Sequence, residues 1–270
     1  MIIICEFDHA TEKAIKNGNI VYLSKQLDSK PICNFLYNLS HYFNGACNFG
    51  ANDTLKELLK LQKKHSNFNL TVGIIEHYVG GRPYSILMHL CIKNHHNECL
   101  KTLFDHIQPQ MHYWGQCTAL VSQCIEQALS AKNPNAIKIA MDFEKSCRSI
   151  RPKHYSTSDD IDLWWPRLEN KSKNEAQNIV QYMDTSLVNH LVVWRLHAHV
   201  KNKETLRALI DKCNIEKVGS LIKTTNLPLL YEIHPQDIAW LNNESIARQK
   251  TVLNKAVRGA KTVPRAQRKI

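Results

Sequence analysis

No Cys-x-x-Cys occurs in this chain, and its nine cysteines, Cys5, Cys33, Cys47, Cys91, Cys99, Cys117, Cys124, Cys147 and Cys213, are an odd number. Most stand among apolar neighbours, where a free thiol behaves as a small hydrophobe. This argues against a disulfide framework and for a reducing compartment. Nine glycines and nine prolines in 270 residues suit short-looped helices better than a turn-rich β-sandwich. No apolar run approaches the roughly 20 residues of a membrane span. The start, MIIICEFDHATEK, lacks the basic and long apolar regions of a secretory signal. A soluble protein is expected, cytoplasmic in the cell that makes it, and any export uses another route. The chain also lacks a P-loop, a GxGxxG, an HExxH, a Fic-type HPFxxGN and the kinase HRD and DFG pair.

What is present is ordinary globular composition, 43% hydrophobic and 22% charged, in a chain long enough to bury a sizeable core. The net charge of +11 is uneven. Residues 245–270 carry eight cations and no acid: Arg248, Lys250, Lys255, Arg258, Lys261, Arg265, Arg268 and Lys269. The remaining 244 residues carry only +3.

One local shape recurs along the body. EKAIKNGNIVYLSKQL reads as a helix, a break at Asn17-Gly18, and a second helix with Ile20, Leu23 and Leu27 on one face. ACNFGANDTLKELLK, LCIKNHHNECLKTLF, ALSAKNPNAIKIAM and LHAHVKNKETLRALI repeat it. Each has a helix end, a polar break at Gly50, His95, Lys132 or Lys201, then an apolar residue five positions on and another four later. The anchors Leu23, Leu55, Leu100, Ile137 and Leu206 are 32, 45, 37 and 69 residues apart, which is one unit of about 33 residues. The 45-residue gap implies an insertion near 62–81. The 69-residue gap implies an irregular unit near 150–185, with NEAQNIVQYM as its second helix.

This phase resembles the ankyrin repeat. In GRPYSILMHLCIKNHHNECLKTLFDH, His89 falls on the family's motif histidine, which bridges backbone between units. Cys91 and Ile92 fall on its paired alanines, His95 on its turn glycine, and Leu100, Leu103 and Phe104 on its aliphatic run. Ala46, Cys47 and Gly50 match in a second unit, Ala14 and Gly18 in a third. ILMH stands where the family has TPLH, the turn glycine survives in two units, and the long β-hairpin fingers look shortened or lost. The resemblance implies an all-α fold, an irregular α-solenoid of five to six helix–turn–helix units over 1–215. Capping helices over 216–244 and a basic helix and tail over 245–270 follow. TPR- and HEAT-like pairs share the design.

The densest cluster of metal-type side chains, Cys91, His95 and Cys99, would share a face of one continuous helix and could ligate zinc. The repeat breaks that helix, so packing is the expected role. His197 and His199, two apart, do not meet on a helix. Cys117 and Cys124 share an apolar face. No metal and no cofactor is expected. HYSTSDDIDLWWPRL, read as a loop, places Trp164 and Trp165 either as exposed anchors or as plugs of the core.

Ankyrin-like arrays act mostly as recognition scaffolds without chemistry. The resemblance therefore implies a monomer that buries a host-protein segment on a concave face, with Tyr84, Trp114, Trp164 and Trp165 as aromatic anchors. Abundant Asn, Lys, Ile and His, with a polar tail, make the chain similar to the type IV secretion effectors of intracellular bacteria such as Legionella or Coxiella. It lacks their glutamate-rich stretch. Two other readings stay open. One is a cysteine-dependent hydrolase or transferase built on the repeats. The other is binding of an anionic membrane or nucleic acid through the tail.

Overall fold

A computed structural model of the chain describes residues 8–28, 32–64, 77–79, 82–84, 86–110, 113–152, 157–197, 203–214 and 217–218, with single positions 239, 243, 246, 247, 250 and 254. The fold is all-α, with one small ribbon, and the chain divides into two compact units, Met1–Tyr155 and Ser156–Ile270.

The first unit contains four helix pairs among the described residues: α1 (His9–Lys16) with α2 (Ile20–Asp28), α3 (Ile32–Phe49) with α4 (Asn52–Lys64), α5 (Ile86–Lys93) with α6 (Asn97–Ile107), and α7 (Trp114–Ser130) with α8 (Pro134–Ser146). First helices neighbour first helices, α1 to α3 to α5 to α7, and second helices neighbour second helices, α2 to α4 to α6 to α8. The apolar faces meet between these two layers. Leu23, Leu55, Leu100 and Ile137 are buried there, as are Leu27, Leu59, Phe104 and Met141 four residues on. Each such side chain contributes about 1.5–3 kcal/mol when fully buried.

The turns explain the phase. Gly18 and Gly50 both have φ +68°, and His95 and Lys132 have φ +59° and +53°. The residue after each one donates its backbone N–H to the carbonyl five residues back: Asn19 to Ala14, Ala51 to Ala46, His96 to Cys91 and Asn133 to Ala128, at 2.8–2.9 Å. This left-handed cap ends the first helix and turns the chain into the second.

Neighbouring pairs are joined by polar side chains that cap those same helix ends. Thr54 Oγ1 donates to the Ile15 carbonyl at 2.7 Å. His96 Nε2 donates to the Asn48 carbonyl at 3.0 Å, with Asn94 Nδ2 beside it on Asn48 Oδ1 at 3.0 Å. Asn133 Nδ2 donates to the Ile92 carbonyl at 3.2 Å, while its Oδ1 caps α8 through the Ala136 N–H. A helix leaves its last carbonyls without intrahelical donors, and here the next pair adds side-chain donors to the turn N–H groups of Gly18 on Ile15 and His95 on Ile92.

The insertion is partly seen. An antiparallel ribbon, β1 (His77–Val79) and β2 (Arg82–Tyr84), pairs His77 with Tyr84 and stands directly before α5. The sequence led us to expect hairpins shortened or lost, and here a short one is present. Residues 65–76 lie outside the described residues.

The second unit contains α9 (Thr157–Leu168), α10 (Lys173–Val180), α11 (Thr185–His197) and α12 (Lys203–Lys212). First helices α9 and α11 are neighbours, and so are second helices α10 and α12. The segment expected as a loop, 154–168, is helical from Thr157. Asp159 and Asp160 in the first turn suit the positive end of the helix dipole. Pro166 sits in the last turn, and Trp164, Trp165 and Leu168 form the buried side. A capping box between Ser172 and Glu175 starts α10. Thr205 Oγ1 donates to the Leu168 carbonyl at 3.0 Å, as Thr54 does to Ile15 in the first unit. Most of 216–244 lies outside the described residues.

Candidate functional site

The structure corrects the expected aromatic anchors. Trp114 is 8% exposed, Trp164 3% and Trp165 4%, so all three fill the interior of their own unit. The Arg151 guanidinium lies 5.5 Å from the centroid of the Trp114 ring, and that of Arg167 lies 4.3 Å from Trp164. These cations stack on the indoles, and the tryptophans offer no free face of the kind that anchors a partner. Tyr84 lies in β2. Among the described residues of the first unit, Tyr113 is an exposed aromatic, 68% exposed at the start of α7, which nothing in its sequence context singled out.

The Cys/His cluster is divided as the repeat phase implies. Cys91 is buried in α5, His95 is the exposed left-handed turn residue, and Cys99 is buried in α6. No group of three or more His, Cys, Asp or Glu is placed to hold a metal ion among the described residues. The Cys47 thiol beside Cys91 holds that thiol well above its ordinary pKa, and Cys91 does the same to Cys99. Burial pushes Cys124 up to about 12 and also raises Cys147, which contacts Cys117. These thiols are held neutral at physiological pH and are poor nucleophiles in that form. His197 ends α11, and His199 lies outside the described residues.

Of the tail cations, Lys250 is described and is exposed; Arg248, Lys255, Arg258, Lys261, Arg265, Arg268 and Lys269 lie outside the described residues. No helix among the described residues is long and apolar enough to cross a membrane.

His89 is the histidine expected to bridge backbone between units. His89 contacts Gln127 of the next first helix, and its pKa is lowered by burial and then by the charge of Lys93, against the opposing hydrogen bond from Gln127. His96 bridges to the Asn48 carbonyl, and its ring also covers the Gly50 turn: a Cβ at Gly50 would stand 2.5 Å from His96 Nδ1. The sequence places the break at His95 and gives no sign of this role for His96. The signal available was a polar residue directly after the turn, Asn19, His96 and Asn133, in three of the four pairs.

His89 opens onto a cleft of about 400 Å³ between α5 and α7. His89, Ile92 and Lys93 form one wall, and Glu126, Gln127, Ser130 and Ala131 form the other. Its rim is charged, with Lys93 and Glu126 exposed, and its floor is partly apolar. A smaller recess of about 140 Å³ lies between α6 and α8, over the Phe104 and Phe143 rings, whose centroids are 4.4 Å apart and planes tilted by 31°. The cleft combines hydrogen-bonding groups, both signs of charge and some apolar surface, which suits it to hold a polar segment of another molecule.

Compared with known proteins, the chain matches no family model, no curated protein and no solved structure.

Proposed function

We propose that the chain is a non-catalytic recognition scaffold, an irregular ankyrin-like α-solenoid that grips a segment of a partner protein on the first-helix layer of its first unit. The observation that carries this reading is the cleft between α5 and α7, on the layer formed by α1, α3, α5 and α7. Stacked helix pairs joined at fixed turns hold such a surface rigid, so binding a partner needs little reorganisation. The grip is polar, through His89, Lys93, Glu126, Gln127 and Ser130, rather than through the buried tryptophans. The sequence resemblance to secreted ankyrin effectors extends the proposal to a host protein as the partner.

The test is affinity capture from host-cell lysate with the full chain, Lys93→Ala/Gln127→Ala, Lys138→Ala on the opposite layer, and a 1–244 truncation, each checked for folding by circular dichroism. Capture of one protein at high salt, lost with Lys93→Ala/Gln127→Ala and kept with Lys138→Ala and the truncation, is the expected result. Capture that falls steeply with salt and disappears with the truncation alone would replace the scaffold by an anion-binding tail.

A further inference from the structure

We propose that the recess between α6 and α8 seats an arginine side chain of a basic partner segment, on the layer opposite the α5–α7 cleft. The repeat itself builds the seat. Asp105 and Asp142 each stand five residues after a buried anchor, Leu100 or Ile137, so two neighbouring second helices carry them at matching positions. Both line the recess and both are exposed. Neither takes part in an ion pair among the described residues. The rest of the lining is largely apolar, with Phe104 and Phe143 as its floor and half-buried Ile139 in its wall. The Ser146 hydroxyl at its edge already donates to the Phe143 carbonyl at 2.7 Å.

At about 140 Å³ the recess is the size of one long side chain, since sites for whole small molecules start at about 300 Å³. An apolar side chain placed there would cover Asp105 and Asp142 without pairing either, which costs their hydration. A carboxylate would face two acids against one cation, Lys101. An arginine satisfies both parts of the lining. Its stem packs on the apolar floor, while its guanidinium stays at the rim and reaches the carboxylates with a planar fork of donors. Lys101 lies on α6 about 6 Å back along the axis from Asp105. A cation placed before an acid is the weaker order for a helical pair, and no ion pair joins these two. Asp105 is therefore open to a cation that arrives from outside. A lysine in the same place would bring a point charge without the fork.

The experiment titrates the nitrogen-15-labelled full chain with hexaarginine at low salt, with hexalysine and hexaglutamate in parallel, and follows backbone amides by NMR. The eight cations of the tail repel a basic peptide, so they do not supply its site. The expected result is that hexaarginine shifts the amides of 101–108 and 139–146 first and binds more tightly than hexalysine. Asp105→Asn/Asp142→Asn, at two exposed side chains and checked for an unchanged unfolding midpoint, weakens binding roughly fivefold, the scale of two exposed ion pairs. Glu126→Gln, an acid of the first-helix layer, leaves binding unchanged, and so does Lys93→Ala/Gln127→Ala, which separates this surface from the α5–α7 cleft. Binding indifferent to the double Asp variant, or weakened as much by Glu126→Gln, overturns the proposal and reduces the attraction to general acidity. Hexalysine binding as tightly as hexaarginine, or hexaglutamate shifting the same amides, also overturns it.

Discussion

Thr54 in the first unit and Thr205 in the second occupy the same place in their helix pairs, one residue before a buried anchor, Leu55 or Leu206. Both are buried, and each donates to a carbonyl at the end of the preceding first helix, Ile15 or Leu168. The other two junctions of the first unit reach the same result with His96 and Asn133. The two units thus share the task of capping the neighbour's helix end, while the residue that performs it varies. The units differ in how their first helices are filled. Just before their turns the first helices of the first unit bury the small residues Ala14, Ala46, Cys91 and Ala128, with Trp114 at the opposite end of α7, whereas α9 buries Trp164 and Trp165 close to its C-terminal end.

That difference gives the largest expected effect. Trp164→Ala removes a buried indole and leaves Arg167, itself mostly buried, without the ring it stacks on. A loss of about 3–5 kcal/mol is expected in denaturant unfolding. Tyr113→Ala, at an exposed side chain, should stay within about 0.5 kcal/mol of wild type. Equal effects would mean that the tryptophans are not core.

The two glycine turns sharpen the comparison within the first unit. Both have φ +68°, but a Cβ at Gly50 meets the His96 ring, whereas at Gly18 the nearest atom is Thr54 Oγ1 at 3.8 Å. Gly18→Ala should lose about 1 kcal/mol from the left-handed backbone. Gly50→Ala adds overpacking and should lose roughly 3 kcal/mol in the same assay. Equal losses would show that the His96 contact carries no energy.

Removing the shared hydroxyl comes next. Thr54→Val and Thr205→Val keep the shape and remove the hydroxyl donor, leaving Ile15 and Leu168 with the backbone N–H of Gly18 at 3.4 Å and of Lys171 at 3.1 Å, so each should lose about 1 kcal/mol. A clear loss at one and none at the other would break the equivalence of the two units. The smallest effect has the opposite sign. His95→Gly and Lys132→Gly relieve a side chain held at positive φ. Each should gain under about 1 kcal/mol, since the greater freedom of glycine in the unfolded chain offsets part of the relief. The measurement is the shift in unfolding midpoint.

Helix pairs, turn positions and anchors were legible because they are local. A break followed five residues later by an apolar residue depends only on spacing, and Leu23, Leu55, Leu100, Ile137 and Leu206 all lie buried. The left-handed turns at His95 and Lys132 could be placed by that phase alone, without glycine to mark them. The residues joining neighbouring pairs were not legible, since Thr54, His96 and Asn133 act on carbonyls 39–48 positions away in sequence and resemble ordinary surface polar residues until the layers form. The Trp164 and Trp165 segment was misjudged for a related reason. Its Ser/Thr run and Pro166 read as loop, while the first-turn acids and the burial of both indoles favour helix. The cleft at His89 depends on which faces of α5 and α7 stay uncovered, and this is decided by packing.

Each helix pair of the first unit is held mainly by its immediate neighbours. Native-state hydrogen exchange of wild type and Thr54→Val tests it most directly. Faster exchange is expected in α1 and α2, with α8 protected as in wild type, because the lost donor serves the Ile15 carbonyl alone. Uniformly faster exchange through both layers, or none at α1 and α2, would contradict it.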